Sequence, residues 1–252
     1  MQEISASSQP PPTAPWGIVF ALSTLALWAG LLAVGLSGVL PWPATLLLVP
    51  LQAFCCTGLF IHAHDAMHGT LVPGRPWANR AAGALLVAVY AAFSYRSLRT
   101  AHHAHHAAPA SAMDPDFHDG DPRFFAWYVA FLRRYVTPWQ VLRMALLYQV
   151  LTLALGVSPA RALAHWALPA VASTVQLFAF GTWRPHREPS GGHTNAHRAR
   201  SETWPPWLLF VTCWNFGLHH EHHAAPWVPW WRLPRVACAD GRSPRESGGP
   251  PR

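Results

Sequence analysis

Histidine is the residue type on which the chemistry of this sequence is concentrated. Residues 102–106 and 219–223 each contain four histidines, and a looser pair, His64 and His68, precedes them. Residues three and four apart share one face of an α-helix. If these segments are helical, eight imidazoles lie on three faces: His64 and His68; His102, His105 and His106; His219, His222 and His223. Imidazole is the commonest metal ligand among side chains, so these faces predict a metal centre.

The type and number of these ligands restrict the metal. Calcium and magnesium prefer oxygen donors. A structural zinc ion uses about four protein ligands and a catalytic one about three, so eight aligned histidines exceed the needs of one zinc site. The pattern therefore predicts two metal ions, and redox-active iron suits a nitrogen-rich site with open coordination positions. Iron bound by neutral imidazoles can activate O2 for attack on C–H bonds.

Other polar residues near the clusters are candidates for supporting roles. His103 and His220 fall off the aligned faces and are expected at the surface or behind the ligands. Single histidines in loops or apolar runs are expected to be structural or solvated: His118, His165 and His193. Carboxylates beside the clusters are candidates to orient a ligand from behind: Asp65, Asp114, Asp116 and Glu221. Asp114 and Asp116 equally fit a turn around Pro115.

The composition predicts an integral membrane protein. Of the 252 residues, 51% are hydrophobic and 12% are charged, whereas about 25% are charged in an ordinary soluble domain. Many of the 14 tryptophans flank apolar runs, as in the aromatic belts of membrane proteins. The net charge of +7 comes from arginines beside those runs. They form no patch with stacking aromatics, so nucleic acid is not expected as a partner.

Four apolar runs predict an all-α fold with two transmembrane helical hairpins, because each run is close to the roughly 20 residues that span a bilayer. The runs cover residues 16–36, 44–62, 139–157 and 163–183. A further apolar segment, 81–95, is short for a span, and a crossing there would separate His64 from His102. It is therefore expected to lie in the interface or dip into it.

The division of the chain follows from its polar ends. Residues 1–15 are predicted to be a disordered leader, 16–238 the membrane domain and 239–252 a disordered tail. Arginines concentrate on the side of the histidine clusters, which predicts that this side is cytoplasmic. The four cysteines have no zinc or disulfide spacing, and the N-terminus does not read as a signal peptide. These features predict an inner-membrane protein with an intracellular metal site.

Longer motifs surround the histidines and carry a resemblance. The order HxxxH, HxxHH, HxxHH between membrane hairpins resembles the membrane fatty acid desaturase/hydroxylase superfamily. The adjoining residues are similar to those of bacterial beta-carotene ketolases in eight segments: 64–69, 93–95, 100–109, 114–118, 180–183, 185–187, 219–223 and 229–234. These long motifs are far more specific than the histidine spacing.

The resemblance implies a non-haem di-iron oxygenase that converts the C4 methylene of the beta-ionone rings of beta-carotene to a ketone. It also implies O2 as co-substrate, electrons from a reduced ferredoxin-type donor and a carotenoid that enters from the bilayer. Superfamily members take a further ligand from the loop after the fourth span, where His186 is the best match and His197 the reserve. Whether Asn215 touches the site is left open.

Two other functions remain compatible with the histidine pattern. A fatty-acyl desaturase or a carotenoid hydroxylase would use the same di-iron chemistry on a different substrate. A non-catalytic metal transporter or store would place ligands along a path across the membrane. The apolar runs contain almost no such ligands, which disfavours the transporter.

Overall fold

The computed structural model describes residues 16–239, which form helices and turns without a β-strand. The predicted leader, and all of the predicted tail except residue 239, lie outside the described residues. The helices, numbered in chain order, are α1 Trp16–Ser37, α2 Trp42–Met67, α3 Pro76–Ala91, α4 Tyr95–Ala107, α5 Phe124–Tyr135, α6 Pro138–Gln149, α7 Pro159–His186, α8 Pro206–Cys213, α9 His219–Ala224 and α10 Leu233–Ala239. The all-α prediction is confirmed for this part of the chain.

Three helices are long and apolar enough to cross a membrane: α1, α2 and α7. The pair α3 and α4 adds a fourth span if the two are counted together, although they are bent by 103°. The predicted run 139–157 is helical over most of its length, since the 12 residues of α6 continue directly into a π-helical turn of 5 residues, Val150–Ala154, but it is not among these spans.

Helix α2 is the centre of the bundle, with α1, α3 and α7 packed around it. Its C-terminal end carries the first histidine pair, because α2 continues past the predicted run to Met67. At its other end, Arg161 donates hydrogen bonds to the carbonyls of Gly35 and Leu40 and lies over the Trp42 ring. His165 is buried there beside Trp42. The contacts of Arg161 and His165 therefore hold the ends of α1, α2 and α7 together on the side of the bundle away from the histidine pair.

The bend between α3 and α4 returns the chain to the end of α2. Ala92 ends α3 in a left-handed conformation, and the Ser94 side chain caps α4 by accepting a hydrogen bond from the Ser97 amide. The ring centroids of His64 and His102 consequently lie 4.4 Å apart. The first two histidine segments therefore meet, as the sequence analysis required of segment 81–95; its placement in the membrane interface stays a prediction.

Helix α7 contains two prolines that an ideal α-helix would not tolerate in its interior. Proline lacks an amide hydrogen, and its ring clashes with the carbonyl four residues earlier. Each proline follows a π-helical turn, with Pro169 after Leu163–Ala167 and Pro185 after Ala179–Trp183. The wider turns bond to the fifth preceding residue, which keeps α7 continuous as far as His186.

A left-handed turn connects α8 to the last histidine cluster. Trp214 and Asn215 have φ values of 51° and 62°, which bulky residues rarely adopt. Trp214 is held by a 3.0 Å hydrogen bond from its indole nitrogen to the Phe54 carbonyl and by stacking on the Phe54 ring. The turn places Phe216 with its ring centroid 4.8 Å from that of His64.

Gly58 in α2 provides a test of this packing, because a Cβ there would lie 2.4 Å from the Trp214 ring. We expect Gly58→Ala to destabilise the protein by about 1–3 kcal/mol through overpacking. Thermal unfolding in detergent, followed by tryptophan fluorescence, measures the effect.

The matched control is Gly30→Ala, since Gly30 lies in α1 with nothing near its Cβ position. Alanine there should be neutral or stabilising by up to about 1 kcal/mol, from helix propensity alone. Equal unfolding temperatures for the two variants would contradict the packing described here.

Candidate metal centre

Nine histidines meet at the end of α2, and they are the nine that the sequence analysis named as ligands. The five-histidine group consists of His64, His68, His102, His106 and His222. The four-histidine group consists of His105, His186, His219 and His223. Within each group, one ring nitrogen per residue lies within 4.8 Å of all the others. The C-terminal end of α2, helix α4, the end of α7 and helix α9 supply these residues.

The spacing of the ring nitrogens fits a shared metal ion in each group. The Nε2 atoms lie 2.7 Å apart in His68 and His102 and 2.9 Å apart in His106 and His222. In the four-histidine group, the His223 Nε2 lies 3.1 Å from the Nε2 of His105 and 3.1 Å from that of His219. Two nitrogens bound at right angles to one metal, each about 2.1 Å from it, are about 3 Å apart.

Unpaired nitrogens in the interior support the same conclusion. Both ring nitrogens of His64 and the Nε2 atom of His186 are buried without a hydrogen-bond partner. A buried polar atom without a partner costs about 1–3 kcal/mol. A metal ion at each group would bind one nitrogen of His64 and the Nε2 atom of His186, so the donors fit two metal ions.

Asp114 controls the orientation of His105. Both carboxylate oxygens lie 3.0 Å from the His105 Nδ1 atom, which donates its hydrogen to them. The carboxylate is itself fixed, because it accepts hydrogen bonds of 2.8 Å from the amides of Ala110 and Asp116. With the hydrogen on Nδ1, the lone pair of His105 is left on Nε2 for a metal.

Asp116 lies behind the same ligand. One of its oxygens is 3.8 Å from the His105 Nδ1 atom, and its carboxylate accepts a hydrogen bond from the Tyr135 hydroxyl. Burial raises the pKa of the Asp116 carboxyl above its usual range. The turn around Pro115 thus places Asp114 and Asp116 behind His105, and the Asp114 carboxylate also accepts amide hydrogen bonds within the turn.

The other ligand-orienting contacts come from different segments. The His186 Nδ1 atom donates a 2.9 Å hydrogen bond to the Arg198 carbonyl, which leaves Nε2 free for a metal. Asp65 accepts a 3.3 Å hydrogen bond from the Trp230 amide, and its carboxylate lies 3.8 Å from the His64 Nδ1 atom. Glu221 accepts a hydrogen bond from the Ser201 hydroxyl; it anchors α9 to the loop that precedes α8.

The cluster on α9 is held in the neutral form that binds metals. Burial, together with the neighbouring imidazoles, lowers the pKa values of His219, His222 and His223 well below the usual histidine range. Since a protonated imidazole has no free lone pair, neutral rings are required for metal binding. At neutral pH all three rings are therefore competent ligands.

An apolar cavity reaches both histidine groups from the side of the bundle. It encloses about 800 Å³, including its open mouth. Its lining includes His64 and His102 of the five-histidine group, and His105 and His219 of the four-histidine group. Most other wall residues are aromatic or aliphatic, among them Phe60, Tyr90, Leu98, Phe131, Leu177 and Phe216. The arrangement can hold a hydrocarbon directly against the metal centre.

Several residues considered in the sequence analysis lie outside the two groups. His103, His118, His165, His193 and His220 are not members of either group. His197, the reserve for the ninth ligand, packs near His220 and His223 but is not part of the four-histidine group. The Asn215 amide donates to the Trp230 carbonyl, and its Oδ1 atom is buried without a partner.

Sequence reasoning missed the residues that shape the cavity. Leu98 precedes His102 by one helical turn in α4, so its position on the ligand face was readable from the helical period. Tyr135 and Leu177 come from α5 and α7, far along the chain from the clusters. Their presence at the site depends on how the helices pack, and no local pattern marks them.

The choice between His186 and His197 can be tested by metal analysis of purified protein. We expect His186→Ala to lose about one of two bound metal ions, because His186 belongs to the four-histidine group. His197→Ala serves as the control and should retain both ions. Retention by His186→Ala together with loss by His197→Ala would reverse the assignment.

Comparison with known proteins gives the family. The chain matches the fatty acid desaturase family over residues 37–144 and 133–250. Two beta-carotene ketolases from Paracoccus strains are 44% identical over 178 residues and 42% identical over 203 residues. The first alignment covers 70% of this chain and 72% of that protein, and the second 77% and 83%.

A zeaxanthin 4-ketolase from Chlamydomonas reinhardtii is 37% identical over 243 residues, which cover 90% of this chain and 54% of that protein. The family match over residues 37–144 and 133–250 includes both histidine groups and the helices that form the cavity. This family match extends over most of the described residues, so the helical bundle and its histidine groups both belong to the matched region. The chain belongs to the fatty acid desaturase family, in the group of its members that contains the beta-carotene ketolases.

Proposed function

We propose that this chain is a beta-carotene ketolase, a non-haem di-iron oxygenase that converts the C4 methylene of beta-ionone rings to a ketone. The observation that carries the proposal is the apolar cavity that ends on both histidine groups. The names of the relatives add the substrate class, since two are beta-carotene ketolases. The products from beta-carotene are echinenone, with one ketone, and canthaxanthin, with two, as in astaxanthin biosynthesis.

Nine histidines would hold the two iron ions. One ion would be bound by the five-histidine group, which consists of His64, His68, His102, His106 and His222. The other would be bound by the four-histidine group, which consists of His105, His186, His219 and His223. When bound, the iron supplies activation of O2, the co-substrate, for attack on a C–H bond. Asp114 and the Arg198 carbonyl keep hydrogens on Nδ1 of their histidines, so that Nε2 faces the metal. Phe60, Leu98 and Leu177 exclude water from the inner end of the cavity.

The substrate's own chemistry explains why C4 reacts. C4 is allylic, so its C–H bond is weak and the resulting radical is delocalised into the polyene. Two successive hydroxylations at C4 give a geminal diol, which loses water to leave the ketone. The cavity walls orient the ring so that C4 faces the histidine groups, and both hydroxylations then occur without the ring leaving the site.

The apolar helices and the arginine bias also support a proposal for the membrane location of the site and for its partners. Two hairpins, with α3 and α4 re-entrant, would place the site at the cytoplasmic face of a bacterial inner membrane, as the arginine bias favours. The carotenoid would enter the cavity from the bilayer, among membrane lipids. Electrons would come from a reduced ferredoxin-type donor. A fatty-acyl desaturase or carotenoid hydroxylase would share this metal centre, but the names of the relatives do not favour either.

Expression in cells that produce beta-carotene tests the proposal. We expect echinenone and canthaxanthin to accumulate, as measured by chromatography and mass spectrometry of the pigments. His105→Ala should form neither ketone, because it removes a ligand of the four-histidine group. Accumulation of hydroxylated carotenoids alone, or of unmodified beta-carotene, would sink the ketolase assignment.

The cavity can be tested with a matched pair in α7. Leu177 lines the cavity, whereas the Val171 side chain is 57% exposed on the outer face of the same helix. We expect Leu177→Trp to lower ketone formation at least tenfold with iron content unchanged, because the larger ring fills the substrate space. Val171→Trp should stay within about twofold of the parent, as a substitution outside special sites usually changes little. Equal activities would show that the substrate binds elsewhere.

A further inference from the structure

A second approach to the metal centre differs from the cavity in its chemistry. It is a notch of about 720 Å³, including its open mouth, between the end of α2, the start of α3 and one face of α4. Tyr95, Arg99 and His103 form that face, spaced four residues apart. The neighbouring face of α4, with Leu98, His102 and His105, lines the apolar cavity. One helix thus separates the two approaches.

The notch carries positive charge that residues 16–239 do not neutralise. No acidic residue occurs between Asp65 and Asp114, while four exposed arginines do: Arg75, Arg80, Arg96 and Arg99. Arg75, Arg80 and Arg99 line the notch. The ion pairs that arginines form within residues 16–239 lie elsewhere, namely Arg123–Asp121, Arg134–Asp119 and Arg184–Glu202. The uncompensated charge favours an acidic partner.

A metal ligand forms part of the notch wall. His68 belongs to the five-histidine group and lines the notch. Its side chain keeps partial exposure, whereas His64 and His222 of the same group are buried. A protein bound in the notch would therefore be separated from the metal centre only by the His68 side chain. Because the rate of electron transfer falls steeply with distance, such a place suits an electron donor.

A second basic surface, around Arg184, Arg187 and Arg200, fits less well. Arg184 is paired with Glu202, and the Arg200 guanidinium donates hydrogen bonds to the carbonyls of Arg184 and Arg187. The ligand behind this surface, His186, is only 1% exposed. Its arginines are committed to internal contacts, and its ligand is out of reach.

We infer that an acidic one-electron carrier protein docks on the notch and delivers electrons past His68. This inference rests on the proposed function, in which each hydroxylation breaks a C–H bond and forms a C–O bond with one atom of O2. The other oxygen atom leaves as water, so the balance is R–H + O2 + 2e⁻ + 2H⁺ → R–OH + H2O. A one-electron carrier is oxidised at each visit, and it must bind and leave twice per hydroxylation. Weak, salt-sensitive electrostatic docking meets that need.

Binding measurements test the inference without turnover. The full chain is placed in phosphatidylcholine nanodiscs on a surface plasmon resonance chip, and an acidic plant-type ferredoxin is passed over it at low and at physiological ionic strength. We expect the double variant Arg75→Glu/Arg80→Glu to raise the Kd at least tenfold and to flatten its salt dependence. The milder Arg75→Gln/Arg80→Gln should raise the Kd by a smaller factor, which guards against misfolding as the cause.

The matched control reverses the charge of two arginines that lie outside the notch. Arg133 and Arg235 are exposed and have no carboxylate partner within the described residues, so Arg133→Glu/Arg235→Glu should change the Kd less than about twofold. An equal effect of both double reversals, or no effect of either, overturns the notch as the docking surface. Phosphatidylglycerol that co-purifies with each variant is measured by mass spectrometry. Its loss from Arg75→Glu/Arg80→Glu, with ferredoxin binding unchanged, would overturn the inference and assign the notch to a lipid headgroup. Ketone formation in carotenoid-producing cells is read separately, so the two proposals can fail independently.

Discussion

Nine imidazole rings meet at one end of a helical bundle, and burying that many polar rings in a neutral, oriented form is the constraint on which the rest of the structure depends. Burial disfavours the charged form of the rings on α9, which keeps their lone pairs available. Burial also requires that each remaining ring nitrogen find a partner. Asp114 and the Arg198 carbonyl provide such partners for His105 and His186. Metal ions would satisfy the atoms that the protein leaves unpaired.

Departures from ideal helical geometry occur just before the ligands. The bend at Ala92 precedes the cluster on α4, the π-helical turn Ala179–Trp183 precedes His186, and the left-handed Trp214 and Asn215 precede α9. The bend and the left-handed turn change the direction of the chain before a ligand, and the π-helical turn carries α7 past Pro185 to His186. Strained or irregular backbone of this kind persists where surrounding packing enforces it, as the contacts of Trp214 with Phe54 do.

The two faces of α4 explain how one centre can meet partners of opposite character. The face with Leu98 and His102 meets an apolar cavity, which suits a hydrocarbon. The face with Arg99 and His103 meets the basic notch, which suits an acidic protein. On the proposals above, a carotenoid in the cavity and an electron donor on the notch would not compete for the same surface. The separation also keeps charged groups of the donor away from the apolar walls.

The sequence by itself determined the helical faces of the ligands, because the i, i+3, i+4 spacing of His102, His105 and His106 is a local property of an α-helix. It also determined the apolar helices, since their composition requires a membrane. Only the tertiary structure decided that His186 and not His197 joins the four-histidine group and that Tyr135 and Leu177 reach the cavity. These outcomes depend on contacts between segments far apart in the chain, and no local pattern of residues encodes where two packed helices meet.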